Sequence, residues 1–345
     1  MFRQDRTNPS SAVSNWKGRR DTARAWPSTA VSSWLNGSLF GGGGSPYGGF
    51  MQKAYQYANM TMFMFALQTY QVLATAIQTL GSACCTGICN NQVAGYSVSG
   101  INKDDDPTYR SRRSWKVALP SNVSSDLGAT VTQTEHMGGF GYANSGTAGY
   151  YGTGITNAGS YTTSIEKFAF SSDTSTSTIS PTVDVARYYV QGMAKSGDRG
   201  LSGGGWGGIN APGTVITSVI FSSDSGSTQT SLSTGTYGGT GLSNGQVAGY
   251  IGGGYNLGSA IDKWDYASSF THSTLSATLN HSGYTAGYSD TGNHGYWSNS
   301  GQTTATSLLA YASETTATAT VNLSDSGNWS SSNAIMVFSS TEASP

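Results

Sequence analysis

The sequence predicts an all-β protein, a seven-bladed β-propeller in which each blade is a repeat of four short strands. Three observations lead to this fold class. A Gly-Tyr phrase recurs along the chain, a pair of apolar and mostly aromatic residues follows each copy but the last, and the composition suits many short strands. A six-bladed propeller is the alternative.

The first observation is a phrase in which glycine and tyrosine are followed by further glycines. The clearest copies begin at Gly95, Gly149 and Gly249. Successive copies are separated by 41 to 57 residues, which matches the length of one four-stranded propeller blade. The tyrosine position is occupied in turn by Leu39, Tyr96, Tyr150, Gly205, Tyr250, Tyr296 and Val337.

The second observation is a column of apolar pairs spaced two residues apart. This spacing places both side chains on one face of a strand, where we expect them to fill the wedge between neighbouring blades. Intervening polar residues such as Lys116 would face away. The pairs are Phe63 and Phe65, Trp115 and Val117, Phe168 and Phe170, Val219 and Phe221, Trp264 and Tyr266, and Leu309 and Tyr311.

Two more strands complete each repeat. We predict a strand before the glycine phrase, as in 82–89, 185–189 and 283–288, and a Ser/Thr-rich strand after the aromatic pair, as in 273–279. The recurring glycines of the Gly-Tyr strands would let inner strands approach each other closely around a central channel, because a side chain there would clash.

Closure of the ring is predicted from a strand count. After residue 39 the chain supplies seven pairs of first and second strands but six pairs of third and fourth strands. The last blade would then be closed by pairing N- and C-terminal strands, with an arm at 1–21 and the propeller at 22–345 forming one domain.

The composition excludes several other classes of protein. The 345 residues include 47 glycines, but 37% hydrophobic and 11% aromatic residues argue against a disordered chain. A net charge of −1 gives no basis for nucleic-acid binding. The segment 60–85 is apolar enough to suggest a membrane span, yet it carries glutamines in register with the repeat, so we expect buried strands and no membrane insertion.

The repeat resembles a known family in two of its copies. The phrase at 249–254 followed by Ile-Asp-Lys-Trp-Asp-Tyr at 261–266, and the segment Ile-Glu-Lys-Phe-Ala-Phe-Ser-Ser-Asp-Thr at 165–174, resemble kelch-like repeats in virion and tail proteins of aquatic bacteriophages, notably cyanophages. The resemblance extends over about residues 22 to 340 and is degraded at 38–90 and 295–340.

What the resemblance implies is a non-enzymatic structural or adhesive virion protein, associated with a tail or fibre and synthesised in the host cytoplasm. Its partners would be other virion proteins, including copies of itself within the particle, or a host-surface glycan. The family supplies no catalytic set and no cofactor.

Two enlarged loops, between the second and third strands of their repeats, are the predicted binding sites. Loops on a rigid scaffold commonly carry binding residues, and exposed tyrosines suit sugar stacking or a protein interface. The candidate residues are Tyr47, Phe50, Lys53, Tyr55 and Tyr57 in the first loop and Lys103, Asp104, Asp105, Asp106, Tyr109 and Arg110 in the second.

Metal chemistry is not favoured by the sequence. The three consecutive aspartates at 104–106 lack the spaced ligands of a calcium loop and favour a solvated acidic turn. Cys84, Cys85 and Cys89 have no histidine beside them, so we predict reduced, buried thiols and no metal.

Two other functions stay open. His136, His272, His281 and His294 belong to no recognisable motif, but a Ser/His/Asp site can assemble from distant positions. One alternative is therefore an enzyme on the same scaffold, such as a glycan hydrolase or a copper oxidase of the galactose-oxidase kind. The other is a secreted lectin or a kelch adaptor.

Overall fold

The structure is a computed structural model, and every regular element that it describes is a β-strand. Within the described residues no helix is long and apolar enough to cross a membrane. The described residues are 47–55, 58–68, 71–80, 82–83, 86–90, 93–99, 101–102, 113–118, 123–130, 138–144, 146–156, 159–195, 197–207, 212–283, 285–289, 293–299, 305–319 and 336–339.

The strands form antiparallel sheets of consecutive segments. The first three strands are β1 (Tyr47–Tyr55), β2 (Ala58–Gln68) and β3 (Gln71–Leu80). The next segment holds β4 (Ser82–Ala83), β5 (Thr86–Asn90), β6 (Ala94–Val98), β7 (Ile101–Asn102), β8 (Arg113–Ala118) and β9 (Val123–Ala129). Strands β5, β6, β8 and β9 form blade I, and the short β4 pairs with β7.

Four further blades follow with a regular strand length of four to six residues. Blade II has β10 (Phe140–Asn144), β11 (Ala148–Gly152), β12 (Ile165–Ala169) and β13 (Thr174–Thr178). Blade III has β14 (Gln191–Lys195), β15 (Arg199–Gly203), β16 (Ile216–Ile220) and β17 (Ser225–Gln229). Blade IV has β18 (Thr240–Asn244), β19 (Ala248–Gly252), β20 (Ile261–Asp265) and β21 (Thr271–Thr274). Blade V has β22 (Thr285–Ser289), β23 (His294–Asn299), β24 (Thr306–Ala310) and β25 (Thr315–Thr318).

The predicted count of seven blades and the alternative of six are both wrong, because five four-stranded sheets are each built from one continuous repeat. The remaining sheet is a composite in which β26 (Met336–Ser339) pairs with β1, ahead of β2 and β3. Its strands of 9, 11 and 10 residues are about twice as long as those of the blades, so it is no sixth copy of the repeat. The predicted closing arm at 1–21 lies outside the described residues.

Four predicted strand positions also need correction. In blade III the Gly-Tyr position is Leu201 in β15, and Gly205 lies beyond the end of that strand. The segment 185–189 is a connection, and the first strand of the blade begins at Gln191. The segment 82–89 is split between β4 and β5, and of 273–279 only the first two residues belong to a strand, β21. The two errors in blade III arose because the phrase Gly-Trp-Gly-Gly at 205–208 resembles the repeat.

The predicted role of the aromatic pairs is confirmed in blades II to V, where they pack between neighbouring blades. Phe168 and Phe170 contact Tyr96 of blade I, with ring centroids 5.2 and 5.3 Å away. Phe221 of blade III stacks on Tyr150 of blade II at 4.9 Å. All eight residues of these pairs are buried, so apolar burial between blades holds the ring together.

Three of these junctions are reinforced by a polar clasp, a set of three side chains in which a tyrosine and a lysine of one blade bind an acid in a turn of the next blade. Tyr150 and Lys167 are cross-strand partners in blade II, and both donate to Asp224 in a turn of blade III, at 2.8 and 2.7 Å. The same arrangement joins Tyr96, Lys116 and Asp173, and Tyr250, Lys263 and Glu314. Lys116 therefore faces the next blade, which corrects the expectation that it points away.

The junction between blades III and IV has lost all three members of the clasp together. Leu201 and Ser218 stand at the tyrosine and lysine positions, and Ser269 stands in the turn. Arg199 instead lies over the ring of Phe270 at 4.5 Å, a cation–π contact. The tyrosine, the lysine and the acid of a clasp are thus present together at three junctions and absent together at this one, which indicates that they act as a unit.

In blades III and IV the innermost strand lies so close to its neighbour that its second residue must be glycine. A Cβ atom on Gly192 would lie 2.5 Å from the carbonyl oxygen of Gly141, and one on Gly241 would lie closer still to that of Gly192. Each innermost strand contacts the innermost strand of the next blade. The backbone approach around the channel thus involves first strands, whereas a glycine of a Gly-Tyr strand such as Gly249 faces a side chain, with its Cβ position 2.5 Å from the sulfur of Met193.

Substitution of Gly192 by alanine should destabilise the fold strongly, because the obstructing atoms belong to backbone that cannot rotate away. We expect a loss of about 2–3 kcal/mol in the free energy of unfolding, measured by urea denaturation. Gly197→Ala is the matched control, since a Cβ there meets nothing within 4 Å. Its left-handed backbone should cost about 1 kcal/mol. Equal losses in the two variants would contradict the close-approach account.

A buried histidine makes the stability of the ring dependent on pH. His281, in the connection from blade IV to blade V, donates from Nε2 to the carbonyl oxygen of Trp297 at 2.9 Å. Its Nδ1 is buried with no hydrogen-bond partner among the described residues. Burial lowers the pKa of His281 below its ordinary value of 6.5, so the folded protein holds the neutral imidazole.

Acidification should therefore weaken the fold through His281. His281 of the unfolded chain takes up a proton near pH 6.5, whereas His281 of the folded chain does so only at lower pH. The free energy of unfolding therefore falls as the pH drops through 6.5 towards the folded pKa. We expect wild type to lose up to about 1.4 kcal/mol per pH unit more than His281→Gln, measured by denaturant unfolding between pH 7.5 and 5.5. Parallel pH profiles of the two proteins would refute this assignment.

Candidate functional site

The two faces of the ring carry different connections. Because consecutive strands run antiparallel, the turns after first and third strands lie on one face, here called the turn face. The connections after second strands and those between blades lie on the opposite face, here called the loop face. In blades II to IV the loop face consists of residues 153–164, 179–190, 204–215, 230–239 and 253–260, apart from those that the structure does not describe.

A row of aromatic rings crosses the loop face over blades II, III and IV. We name it the aromatic arc, and it includes three of the most exposed large side chains in the described chain: Tyr161 at 38%, Trp206 at 39% and Tyr255 at 64% exposure. Half-buried rings complete the row. In order, the arc comprises Tyr161, Tyr188, Trp206, Tyr237 and Tyr255.

Backbone pairing between connections places the rings side by side. Tyr188 and Trp206 exchange two hydrogen bonds, N to O at 2.8 and 2.7 Å, in an isolated antiparallel bridge. Residues paired in this way carry their side chains on the same side, about 5 Å apart. Likewise the N–H of Tyr255 donates to the carbonyl of Tyr237 at 2.9 Å. Main-chain hydrogen bonds therefore hold the connections that carry the arc in place.

The other neighbours along the arc meet through their rings. Tyr161 and Tyr188 are parallel to within 1°, with centroids 5.5 Å apart. Trp206 meets Tyr237 edge to face at 5.0 Å, and Tyr237 stacks on Tyr255 at 5.2 Å. Such pairs stabilise each other and restrict rotation of the rings. The arc is accordingly organised before any ligand arrives.

Glycines on both sides of Trp206 let its loop press against the connection from blade II. A Cβ on Gly205 would lie 2.9 Å from the carbonyl oxygen of Tyr188, and one on Gly207 would lie 3.0 Å from that of Ala186. Both glycines have positive φ, at 95° and 150°. The Gly-Trp-Gly-Gly phrase thus presents a tryptophan at the surface instead of forming a strand.

The arc is almost free of charge. Within the described loop-face segments of blades II to IV, Asp184 and Arg187 are the ionisable acid and base, and they pair with each other. Burial raises the pKa of Tyr188 above its ordinary value of 10, and the nearby hydroxyls of Tyr161 and Tyr237 contribute to a smaller extent. Its phenol stays protonated at neutral pH and can both donate and accept hydrogen bonds.

The other charged side chains described in blades II to V lie on the turn face or between blades. The clasps occupy the turn face, together with Lys195 and Asp198. Two buried acids are engaged inside the ring: Tyr151 donates to Glu166, and Asp262 accepts from Ser233 and Thr274. These carboxylates bind neighbouring chain segments.

No metal site is present in the part of the chain that the structure describes, since no three His, Cys, Asp or Glu side chains gather there. Cys89 is a buried free thiol in β5, as expected, and Cys84 and Cys85 are outside the described residues. His272 lies 3.3 Å from Asp262, and His281 is buried and bonded to the carbonyl of Trp297.

The binding loops predicted from sequence are not part of this site. Tyr47, Phe50, Lys53 and Tyr55 lie in strand β1, so the first loop prediction is wrong in its local structure. The chain there is extended and pairs on both sides with β2 and β26. Binding by these residues stays a prediction. Tyr57 and the whole second set, Lys103, Asp104, Asp105, Asp106, Tyr109 and Arg110, lie outside the described residues.

Sequence analysis missed the arc although four of its members share repeat positions. Trp206 and Tyr255 each lie three residues after a second strand, and Tyr188 and Tyr237 each lie three residues before a first strand. The alignment of Gly205 with the tyrosines hid this equivalence. A usable signal was the tyrosine pair at 188–189, where the following blade has Tyr237-Gly238.

Comparison with known proteins supports the fold. No family model matches the chain, and no curated protein matches it either. Among solved structures it is similar to YjhT, with a TM-score of 0.55 and 11% identity over 79% of this chain and 97% of YjhT. At this identity the likeness concerns fold alone, and it agrees with the blades described above: the chain is a β-propeller.

Proposed function

We propose that the protein is a non-enzymatic virion component of a bacteriophage, associated with the tail or its fibres, whose propeller binds a neutral host-surface glycan through the aromatic arc. The observation that carries the proposal is the arc itself, a row of five rings on connections joined by main-chain hydrogen bonds, where the described segments of blades II to IV carry one ion pair. Contacts with other virion proteins would use the remaining surface.

Carbohydrate fits the arc better than nucleic acid does. Single-stranded nucleic acids also stack on aromatic rows, but their binding sites add a basic groove that follows the phosphates. Here Arg187, the described base of this face, is buried and paired with Asp184. A pyranose ring presents an apolar face of C–H bonds and a rim of hydroxyls, which matches tyrosine and tryptophan rings beside uncharged Ser, Thr and Asn side chains.

A protein partner fits less well than carbohydrate. Stable protein interfaces bury more than about 1,000 Å² and have a broad, closely packed apolar centre. The arc is a single row of rings, and Val185 is the exposed large aliphatic residue described near it. A narrow row suits an extended chain of sugars more than a flat protein surface.

The virion part of the proposal rests on the resemblance of the repeats at 165–174 and 249–266 to kelch-like phage proteins. Tails and fibres carry their components in several copies. Weak binding at each arc would then give firm attachment, because linked sites bind with high effective concentration.

Affinity electrophoresis through gels containing neutral polysaccharides tests the glycan site. Galactomannan, xylan, mixed-linkage β-glucan and pullulan are suitable probes. We expect at least one of them to retard the wild type. Trp206→Ala should weaken binding about tenfold or more, because stacking of a planar group such as a nucleic-acid base on one aromatic ring contributes roughly 1–3 kcal/mol, and we expect a similar contribution for a sugar. Retardation should be the same at 0.05 and 1 M NaCl, because the contacts are uncharged.

Val247→Ala is the matched control, because it removes an exposed apolar side chain (57% exposed) from the turn face. It should bind as the wild type does. Free migration of the wild type in all four gels would contradict the glycan proposal. Shortening of the polysaccharide during incubation would contradict the non-enzymatic assignment.

Immunogold electron microscopy of purified phage particles tests the virion proposal separately. An antibody raised against the folded propeller should label tail tips or fibres. Particles that carry no label, and whose denatured proteins show no band with the same antibody, would exclude a virion component whatever the sugar-binding result.

A further inference from the structure

The residue two positions before the first strand has the same unusual backbone in four blades. These residues have positive φ values: 69° at Gly138, 56° at Tyr189, 71° at Gly238 and 92° at Gly283. In blades II, IV and V the residue is glycine, which adopts this conformation freely. Blade III has a tyrosine there, and a bulky aromatic residue in the left-handed region is a strained exception.

The backbone of Tyr189 does nothing that glycine could not do. Its N–H donates to the carbonyl of Gly138 at 2.5 Å. Its carbonyl accepts from the N–H of Gly238 at 3.3 Å and from Nε2 of Gln191 at 2.8 Å. All three bonds use main-chain atoms of residue 189. Glycine would make the same main-chain bonds without strain, so these bonds do not require a tyrosine at this position.

The ring of Tyr189 continues the aromatic arc inwards. Its centroid is 4.4 Å from that of Tyr188, and the ring is half-buried. It leans over Gly138 of the neighbouring blade, where a Cβ would lie 3.3 Å from the ring. Residues 138, 189 and 238 each lie just before an innermost strand, so the ring stands at the mouth of the central channel.

We infer that Tyr189 is a further ligand-contacting residue, which extends the glycan site from the arc to the channel mouth, and that its ring is kept there at the expense of backbone strain. The inference rests on the proposed glycan binding and names an inner subsite for a neutral pyranose unit. Tyr188 and Tyr189, inclined by 45°, would contact neighbouring sugar units with different ring faces.

The test compares Tyr189→Gly and Tyr189→Phe with the wild type, using the polysaccharide that retards the wild type most. Binding is measured by tryptophan fluorescence titration and folding by the thermal midpoint. For Tyr189→Gly we expect a midpoint within about 2 °C of the wild type or above it, because strain is released, and a Kd at least about tenfold higher. Tyr189→Phe keeps the ring and should bind within about threefold of the wild type.

Thr153→Gly is the matched control for relief of backbone strain. Thr153 is a buried residue with φ of 60°, at a loop-face position where blades III and IV have Gly204 and Gly253. It contributes no ring to the arc, so its Kd should equal that of the wild type.

Two results would overturn the inference while leaving the proposed function intact. One is a Tyr189→Gly protein that binds like the wild type. The other is a midpoint lowered by more than about 5 °C, which would make the ring a packing element. A wild type that binds none of the four polysaccharides would instead overturn the proposed function, and the inner subsite with it.

Discussion

The close approach of the innermost strands is the constraint on which the rest of the ring depends. Gly192 lies so near the carbonyl of Gly141 that no side chain fits between them, and Gly241 repeats the contact one blade further on. Strands that touch at the centre must diverge towards the edge. The wedge that opens is filled by paired aromatic residues such as Phe168 and Phe170, whose burial supplies the main stabilisation.

This geometry places the stabilising ion pairs and the aromatic arc on different faces of the ring. The turn face carries the ionic clasps, exemplified by Tyr150, Lys167 and Asp224, which tie one blade to the next. On the loop face, the described connections of blades II to IV are uncharged apart from one internal ion pair. Its shape is set by hydrogen bonds between connections, so aromatic rings can be displayed there without disturbing the wedges below. The junction that lacks a clasp, between blades III and IV, is also the one that Trp206 and Tyr237 cross.

Sequence alone predicted the propeller class and the aromatic wedge, because both follow from strict periodicities in burial. It failed on the number of blades because Val337 was counted as the Gly-Tyr strand of a further blade, although it lies in β26, at the inner edge of the composite sheet. It missed the arc because Gly205 was aligned with the tyrosines although Leu201 occupies that position, and this hid the equivalence of Trp206 and Tyr255. Tyr189 was the exception, a tyrosine at a position that its neighbours reserve for glycine. That contrast could be recognised only after the register of the first strands was known.

A crystal structure of the protein with an oligosaccharide cut from the retained polysaccharide would test the central claim most directly. The account predicts sugar rings lying over Trp206 and Tyr237, with the chain following the arc across the loop face and one unit against Tyr189. Sugar bound on the turn face, or along the outer strands of the blades, would contradict it.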